Sequence, residues 1–120
     1  DEVPSLAWDL IELSEKPLTI IYDGARNVAP NLMAEDGSLA IRVTKEKFSQ
    51  ELCKRFRKAL VSTSANISGE PAPANFDDIS EEIKQGVDYI VKYRQEDTSK
   101  SKASSIIKLG KTGEVKIIRE

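Results

Sequence analysis

The chain has 120 residues, of which 39% are hydrophobic and 32% charged, a composition that suits one soluble domain with one core. Lys plus Arg is 18 and Asp plus Glu is 20, so the net charge of -2 neither demands nor excludes a nucleic-acid partner. With no His and a single Cys53, the sequence excludes an internal disulfide, a His/Cys zinc site, histidine general-base catalysis and a Ser-His-Asp triad within these residues.

No apolar run is long enough to span a bilayer, and the start does not read as a signal peptide. The expected location is the cytoplasm. The first residue is Asp1 rather than Met, so the expectation is a processed or partial chain.

Val3 to Ser14 is predicted to be a helix, since Val3, Leu6, Ala7, Leu10, Ile11 and Leu13 recur at spacings of three and four. Pro4 suits its first turn, and Asp1 and Glu2 sit where the helix dipole favours negative charge. Trp8 reads as a partly exposed packing residue. Pro17 stops the helix and opens a strand over Leu18–Tyr22. Asp23–Asn27 is a turn, Ala29–Ala34 a short helical turn around Pro30, and Glu35-Asp36-Gly37 another turn.

Ser38–Thr44 reads as a second strand, with Leu39, Ile41 and Val43 on one face and Ser38, Ala40 and Arg42 on the other. Arg42 has two readings: an edge charge meeting water, or a guanidinium aimed at a carboxylate or phosphate. Thr44 is the expected cap of a helix from Lys45 to Lys58. Its apolar stripe is Phe48, Leu52, Cys53 and Phe56, which makes Cys53 a packing residue rather than a nucleophile. The helix is basic, and a solvated face is the preferred reading over an RNA-tracking one.

Leu60-Val61-Ser62-Thr63-Ser64-Ala65-Asn66-Ile67-Ser68-Gly69-Glu70-Pro71 is the most distinctive stretch. It is predicted to start as a buried strand and end as a turn. Small hydroxyl residues, one amide and unobstructed N–H groups at a strand end can hold an anion or nucleotide, or can simply make a turn. Pro71–Ala74 reads as a stiff extended connection, Asp77–Gln85 as a helix with Ile79 and Ile83 inward, and Val87–Lys92 as a strand. Glu96–Ala103 is a polar loop. Ser104–Leu109 and Glu114–Arg119 read as strands joined by a Gly110-Lys111-Thr112-Gly113 turn. That turn is not a Walker A loop, because the upstream Gly and the following helix are missing.

The order Pro-Leu-Thr-Ile-Ile, Leu-Ala-Ile-Arg-Val, Ser-Thr-Ser-Ala-Asn-Ile-Ser-Gly, Ser-Ser-Ile-Ile and Ile-Ile-Arg resembles the YrdC-like family of threonylcarbamoyl-AMP synthases, from Pro17 to Arg119. The Ser62–Gly69 segment is its most specific part. The resemblance implies an α/β fold with a twisted mixed sheet and flanking helices around a concave, positively charged cavity. It also implies a reaction of L-threonine, bicarbonate and ATP, with Mg²⁺ accompanying the ATP, to give threonylcarbamoyl-AMP and pyrophosphate. Partner proteins then pass the threonylcarbamoyl group to an adenosine of tRNA.

Carried over by resemblance, Ser38, Ser64, Asn66 and Arg119 belong to the nucleotide, and Arg42, Ser62 and Ser104 to the threonine. No general acid or base and no side-chain metal ligand is implied. The expected mechanism is positioning and charge neutralisation.

The family's N-terminal Lys-x-Arg and Pro-Thr-(Asp/Glu)-Thr-x-Tyr-Gly motifs are not found, and its Pro-Gly-Pro is reduced to Glu15-Lys16-Pro17. The expectation is that residues 1–120 form the C-terminal part of a YrdC-like domain, an incomplete domain that is inactive alone and that aggregates, dimerises through exposed edges or stays associated with its missing part. Two other readings stay open: a tRNA- or double-stranded-RNA-binding module of this fold, and a carbamoyl-transfer module of hydrogenase maturation.

Overall fold

The computed structural model describes residues 3–120 and divides into two compact units. The first holds the described residues up to Arg57 together with Ser104–Glu120, and the second is Lys58–Ala103.

The first unit is built on a four-stranded mixed sheet. Its strands are β1 (Leu18–Tyr22), β2 (Leu39–Arg42), β3 (Ser105–Leu109) and β4 (Val115–Arg119), in the order β2-β1-β3-β4. β1 runs antiparallel to β2 and parallel to β3, and β3 runs antiparallel to β4. The β3–β4 connection is the expected tight turn. Gly113 lies at φ +95°, which a side chain would strain, and its N–H donates to the Gly110 carbonyl at 3.1 Å. Two residues of β4 oppose one step of β3 at Ile106/Ile107, so a bulge shifts the register just before Arg119.

Helix α1 (Ser5–Leu13) lies on one face of this sheet. Ala7, Ile20 and Leu109 are fully buried together, with Leu10, Ile11, Leu18, Tyr22 and Ile107 packed around them. A small residue at position 7 lets the helix backbone approach the branched side chains of the two central strands. Burying Ile20 or Leu109 contributes about 1.5–3 kcal/mol each. The strand period of two sends Leu18, Ile20 and Tyr22 to the α1 face and Thr19 and Ile21 to the second face. Trp8 is 57% exposed and is not among the residues packed on the core, so it lacks the packing role expected of it.

The Lys45 ammonium donates to the Ser14 carbonyl at 2.5 Å and the Glu12 carbonyl at 3.5 Å. A cation there satisfies orphan carbonyls and opposes the negative end of the α1 dipole. Asp1 and Glu2, expected at the other end of this dipole, lie outside the described residues.

Several expected elements differ. α2 covers Lys47–Phe56, shorter than Lys45–Lys58, and its cap is Glu46 rather than Thr44. The Glu46 carboxylate accepts from the Phe48 and Ser49 N–H groups at 3.1 and 2.7 Å, while the Thr44 hydroxyl accepts the Glu46 N–H at 3.3 Å. A carboxylate there also meets the positive end of the dipole, which a hydroxyl does not. Arg57 ends the helix in the left-handed region, φ +61°. β2 is four residues long, ending at Arg42 where its pairing with β1 ends.

The second unit contains no strand among the described residues. Leu60 and Val61, expected to start a buried strand, are 42% and 74% exposed, and Val87–Lys92 is likewise irregular. A strand needs a ladder partner, and within Lys58–Ala103 none is present. The expected Asp77–Gln85 helix is two pieces, a 3₁₀ turn at Phe76–Asp78 and α3 at Glu81–Gly86. Two caps in six residues divide them. The Asn75 side chain accepts the Asp78 N–H at 3.2 Å, and the Ser80 hydroxyl accepts the Ile83 N–H at 3.5 Å.

Replacing Ile20 with Ala leaves a void between α1 and the sheet and is expected to cost about 2–5 kcal/mol in urea unfolding. The sheet edges yield a second expectation. Every residue of β4 is exposed, Ile117 to 62%, so light scattering of the 120-residue chain should give a mass above that of a monomer. Ile117→Lys should return the mass towards a monomer.

Candidate functional site

The second face of the sheet collects most of the polar chemistry of the first unit. Thr19 is in register with Arg42 across β1 and β2, and with Ile106 across β1 and β3, while Ile106 is in register with Arg119. Register partners share a face, so Arg42, Thr19 and Arg119 stand in one row that crosses all four strands.

Ser104, immediately before β3, joins this row. Its hydroxyl is 2.6 Å from the Thr19 hydroxyl. Its carbonyl accepts from Nε and Nη2 of Arg119 at 2.9 and 2.6 Å. The next N–H, of Ser105, donates to the Pro17 carbonyl at 3.0 Å. Ser104 is thus fixed at its side chain and on both sides of its peptide group. Arg42 and Arg119 are exposed, whereas Thr19 and Ser104 are half-buried. Two guanidinium groups flanking a hydroxyl pair suit oxyanions: each guanidinium offers a planar fork of N–H donors and keeps its charge at any working pH.

Ser38 lies at the other end of β2, about 13 Å of extended chain from Arg42. It is 5% exposed, the one buried polar residue among those described. Its N–H donates to Asp36 Oδ1 at 3.0 Å, and its carbonyl accepts the Ala34 N–H at 2.9 Å. Lys108, on the second face of β3, pairs with Asp36 at 3.3 Å and Asp23 at 3.7 Å. One ammonium therefore ties the loop after β1 to the turn before β2. The Ser38 bonds, followed by Lys108, hold the Asp36 carboxyl down at about 2. The same carboxylate raises the Lys108 ammonium above its usual value.

Ser62, Ser64 and Asn66 belong to the second unit. Ser62 and Ser64 are exposed. The Asn66 amide donates to the Ile67 and Glu70 carbonyls, both at 3.0 Å, and the Glu70 N–H donates to the Ile67 carbonyl at 2.9 Å. Two carbonyl acceptors fix the NH₂ side of this amide. Its Oδ1 is buried with no partner in the structure. A cavity of about 150 Å³ in this unit is lined by Ala65 and by Phe76, Ile79, Ile83, Val87 and Tyr89. The Lys84 ammonium sits 4.4 Å from the Phe76 ring centre. It is an apolar cavity, and Ser62, Ser64 and Asn66 do not line it.

Thr19, Asp36 and Lys108 escaped the reading of the sequence. Thr19 had a signal, as the one aliphatic hydroxyl in an otherwise apolar strand, two positions after a proline. Asp36 had a weaker one, an Asp two residues before a Ser in a glycine turn. Lys108 had none, since its partners are remote in sequence. Among the described residues, no group of three His, Cys, Asp or Glu is placed to hold a metal ion, and no helix is long and apolar enough to cross a membrane.

A mixed α/β sheet with a flanking helix, carrying a guanidinium–hydroxyl row on one face, defines the class as an α/β domain. The chain belongs to the Sua5/YciO/YrdC family, whose family model, described as "Telomere recombination", matches residues 1–120. Among curated relatives, a threonylcarbamoyl-AMP synthase of Vibrio campbellii is 30% identical over 99 residues, 82% of this chain and 52% of the relative. Another of Serratia proteamaculans is 35% identical over 67 residues, 56% of this chain and 35% of the relative. A third, of Klebsiella pneumoniae, is 40% identical over 55 residues, 46% of this chain and 29% of the relative. The chain thus spans about half the length of these relatives, or less. No solved structure matches it at a significant level.

The Asp36 carboxyl gives a pH signature. Its folded value is depressed from 3.8 to about 2, so its stabilisation is complete above the unfolded value and is lost as pH falls through about 2. Asp36→Asn should lower the thermal midpoint at pH 7, and the gap from the parent should close between pH 4 and pH 2 in scans across that range.

Proposed function

We propose that this chain carries threonine- and nucleotide-binding residues of a threonylcarbamoyl-AMP synthase. The observation that carries the reading is the row of Arg42, Thr19, Ser104 and Arg119 on one sheet face, in a family member whose matched relatives bear that name. In this reading the L-threonine nitrogen attacks the bicarbonate carbon, a C–O bond breaks with loss of water, and the carbamate of the threonine nitrogen forms. A carbamate oxygen attacks the α-phosphorus of ATP, the bond to the β-phosphate oxygen breaks, and pyrophosphate leaves. The products are threonylcarbamoyl-AMP and pyrophosphate, and the threonylcarbamoyl group then goes to tRNA through partner proteins.

The chain's contribution is to hold and orient. Arg42 pairs with the threonine carboxylate, a match of planar fork to planar acceptor. Ser104 supplies a hydroxyl to the same amino acid, and Ser62 is assigned to it as well. Ser38, Ser64, Asn66 and Arg119 are assigned to the nucleotide. Arg119 spends two of its five N–H donors on the Ser104 carbonyl, leaving three for phosphate or ribose oxygens. Mg²⁺ enters on the ATP phosphates as part of the substrate and screens their charge. With reactants held in line and the charge neutralised, no general base from this chain is required.

Pyrophosphate release by the complete gene product tests the reading. The expected result is release that needs ATP, threonine and bicarbonate together, and release independent of threonine or bicarbonate would overturn it. Arg42→Ala should raise the threonine KM by about 10- to 100-fold, the value of a charge-assisted pair, with a much smaller change in the ATP KM. The isolated 120-residue chain is expected to show no turnover.

A further inference from the structure

The contact between Thr19 and Ser104 bears on how the amino acid is recognised. Two hydroxyl oxygens 2.6 Å apart share one of their two protons. The other proton is left to point away from the pair. An isolated serine hydroxyl rotates among staggered wells and has no fixed donor direction. Thr19 is β-branched and stiff at χ1, so it makes a rigid partner for that rotor. The backbone of Ser104 is already held by Arg119 and by the Pro17 carbonyl's bond to the next residue. The Thr19 contact adds a restraint on the Ser104 side chain itself, which the backbone bonds do not supply.

Position on the sheet adds a second reason. Thr19 lies directly opposite Arg42 on the neighbouring strand, so the two Cα atoms are about 5 Å apart and the side chains share a face. A guanidinium and a fixed hydroxyl pair at that spacing match an α-amino acid that carries a carboxylate and a nearby hydroxyl.

We propose that Thr19 is a positioning residue for the amino-acid substrate: it fixes the Ser104 hydroxyl so that the pair presents one outward proton beside Arg42. The proposal rests on the synthase reading above. It assigns a role to a residue of β1 that makes its effect through Ser104 and not through the nucleotide.

The experiment uses steady-state pyrophosphate release by the complete gene product, with threonine and ATP varied separately. Thr19→Val keeps the shape of the side chain and removes its hydroxyl. It should raise the threonine KM about tenfold, the value of one neutral hydrogen bond, while the ATP KM and kcat at saturating threonine hold within about twofold. Thr19→Ser should recover most of the loss. In the double variant with Ser104→Ala, the effect of Thr19→Val should vanish, because its partner is gone. A thermal midpoint that stays with the parent separates positioning from loss of fold. An unchanged threonine KM in Thr19→Val, an equal rise in the ATP KM, or failure of Thr19→Ser to restore binding would each overturn the proposal. If the parent itself releases no pyrophosphate with threonine and bicarbonate, the synthase reading falls and takes this one with it. If the parent turns over and Thr19→Val matches it, this proposal alone falls.

Discussion

The parallel ladder between β1 and β3 is the contact on which the first unit depends. Leu18 to Tyr22 pairs residue by residue with Ser105 to Leu109. That register places Ile20 and Leu109 on the same face, where α1 closes over them with Ala7. It also places Thr19 and Ser104 on the opposite face, within one hydrogen bond of each other. A slip of one residue would exchange the two faces, sending branched apolar side chains to the polar side and hydroxyls into the core. Core and candidate site are therefore specified by one alignment of two strands.

The polar face uses charge in two ways. At one end, two guanidinium groups flank a hydroxyl pair, and Arg119 is turned onto the Ser104 carbonyl. At the other, Lys108 is spent on Asp23 and Asp36, and its effect is internal: it steadies the turn that buries Ser38. The pairs around Lys108 are part-exposed, so each is worth little on its own. Their value lies in joining a loop after β1, a turn before β2 and the middle of β3.

Much of the sheet was legible from the sequence because its strands carry their own signals. Leu18–Tyr22 follows a helix-stopping proline, and the last two strands flank a glycine turn. The α/β class and the family followed from the same segments taken in order. Lys58–Ala103 was read less well. Leu60, Val61 and Val87–Lys92 have strand composition, yet composition cannot supply a ladder partner, and in this unit none is present. The helix predicted over Asp77–Gln85 failed because Asn75 and Ser80 each cap a turn, a local competition that apolar spacing does not reveal. Of the residues in the candidate row, motif order singles out Arg42, Ser104 and Arg119. The Thr19–Ser104 bond was not legible, since nothing local announces a partner 85 residues away.

That separation also governs how the chain is made. At a synthesis rate of about 5–20 residues per second, β1 waits roughly 4–17 s for β3 to leave the ribosome. Over that interval β2 is the partner of β1 among the described residues that has already been made, and the face that holds Ile20 lacks Leu109. Until β3 is made, the β1 edge that pairs with it and the Ile20 side of α1 lack those partners from this chain. Chaperone demand should therefore be set by elapsed time on the ribosome, and synonymous codons that slow translation between Tyr22 and Ser104 would lengthen the exposure without altering one atom of the product.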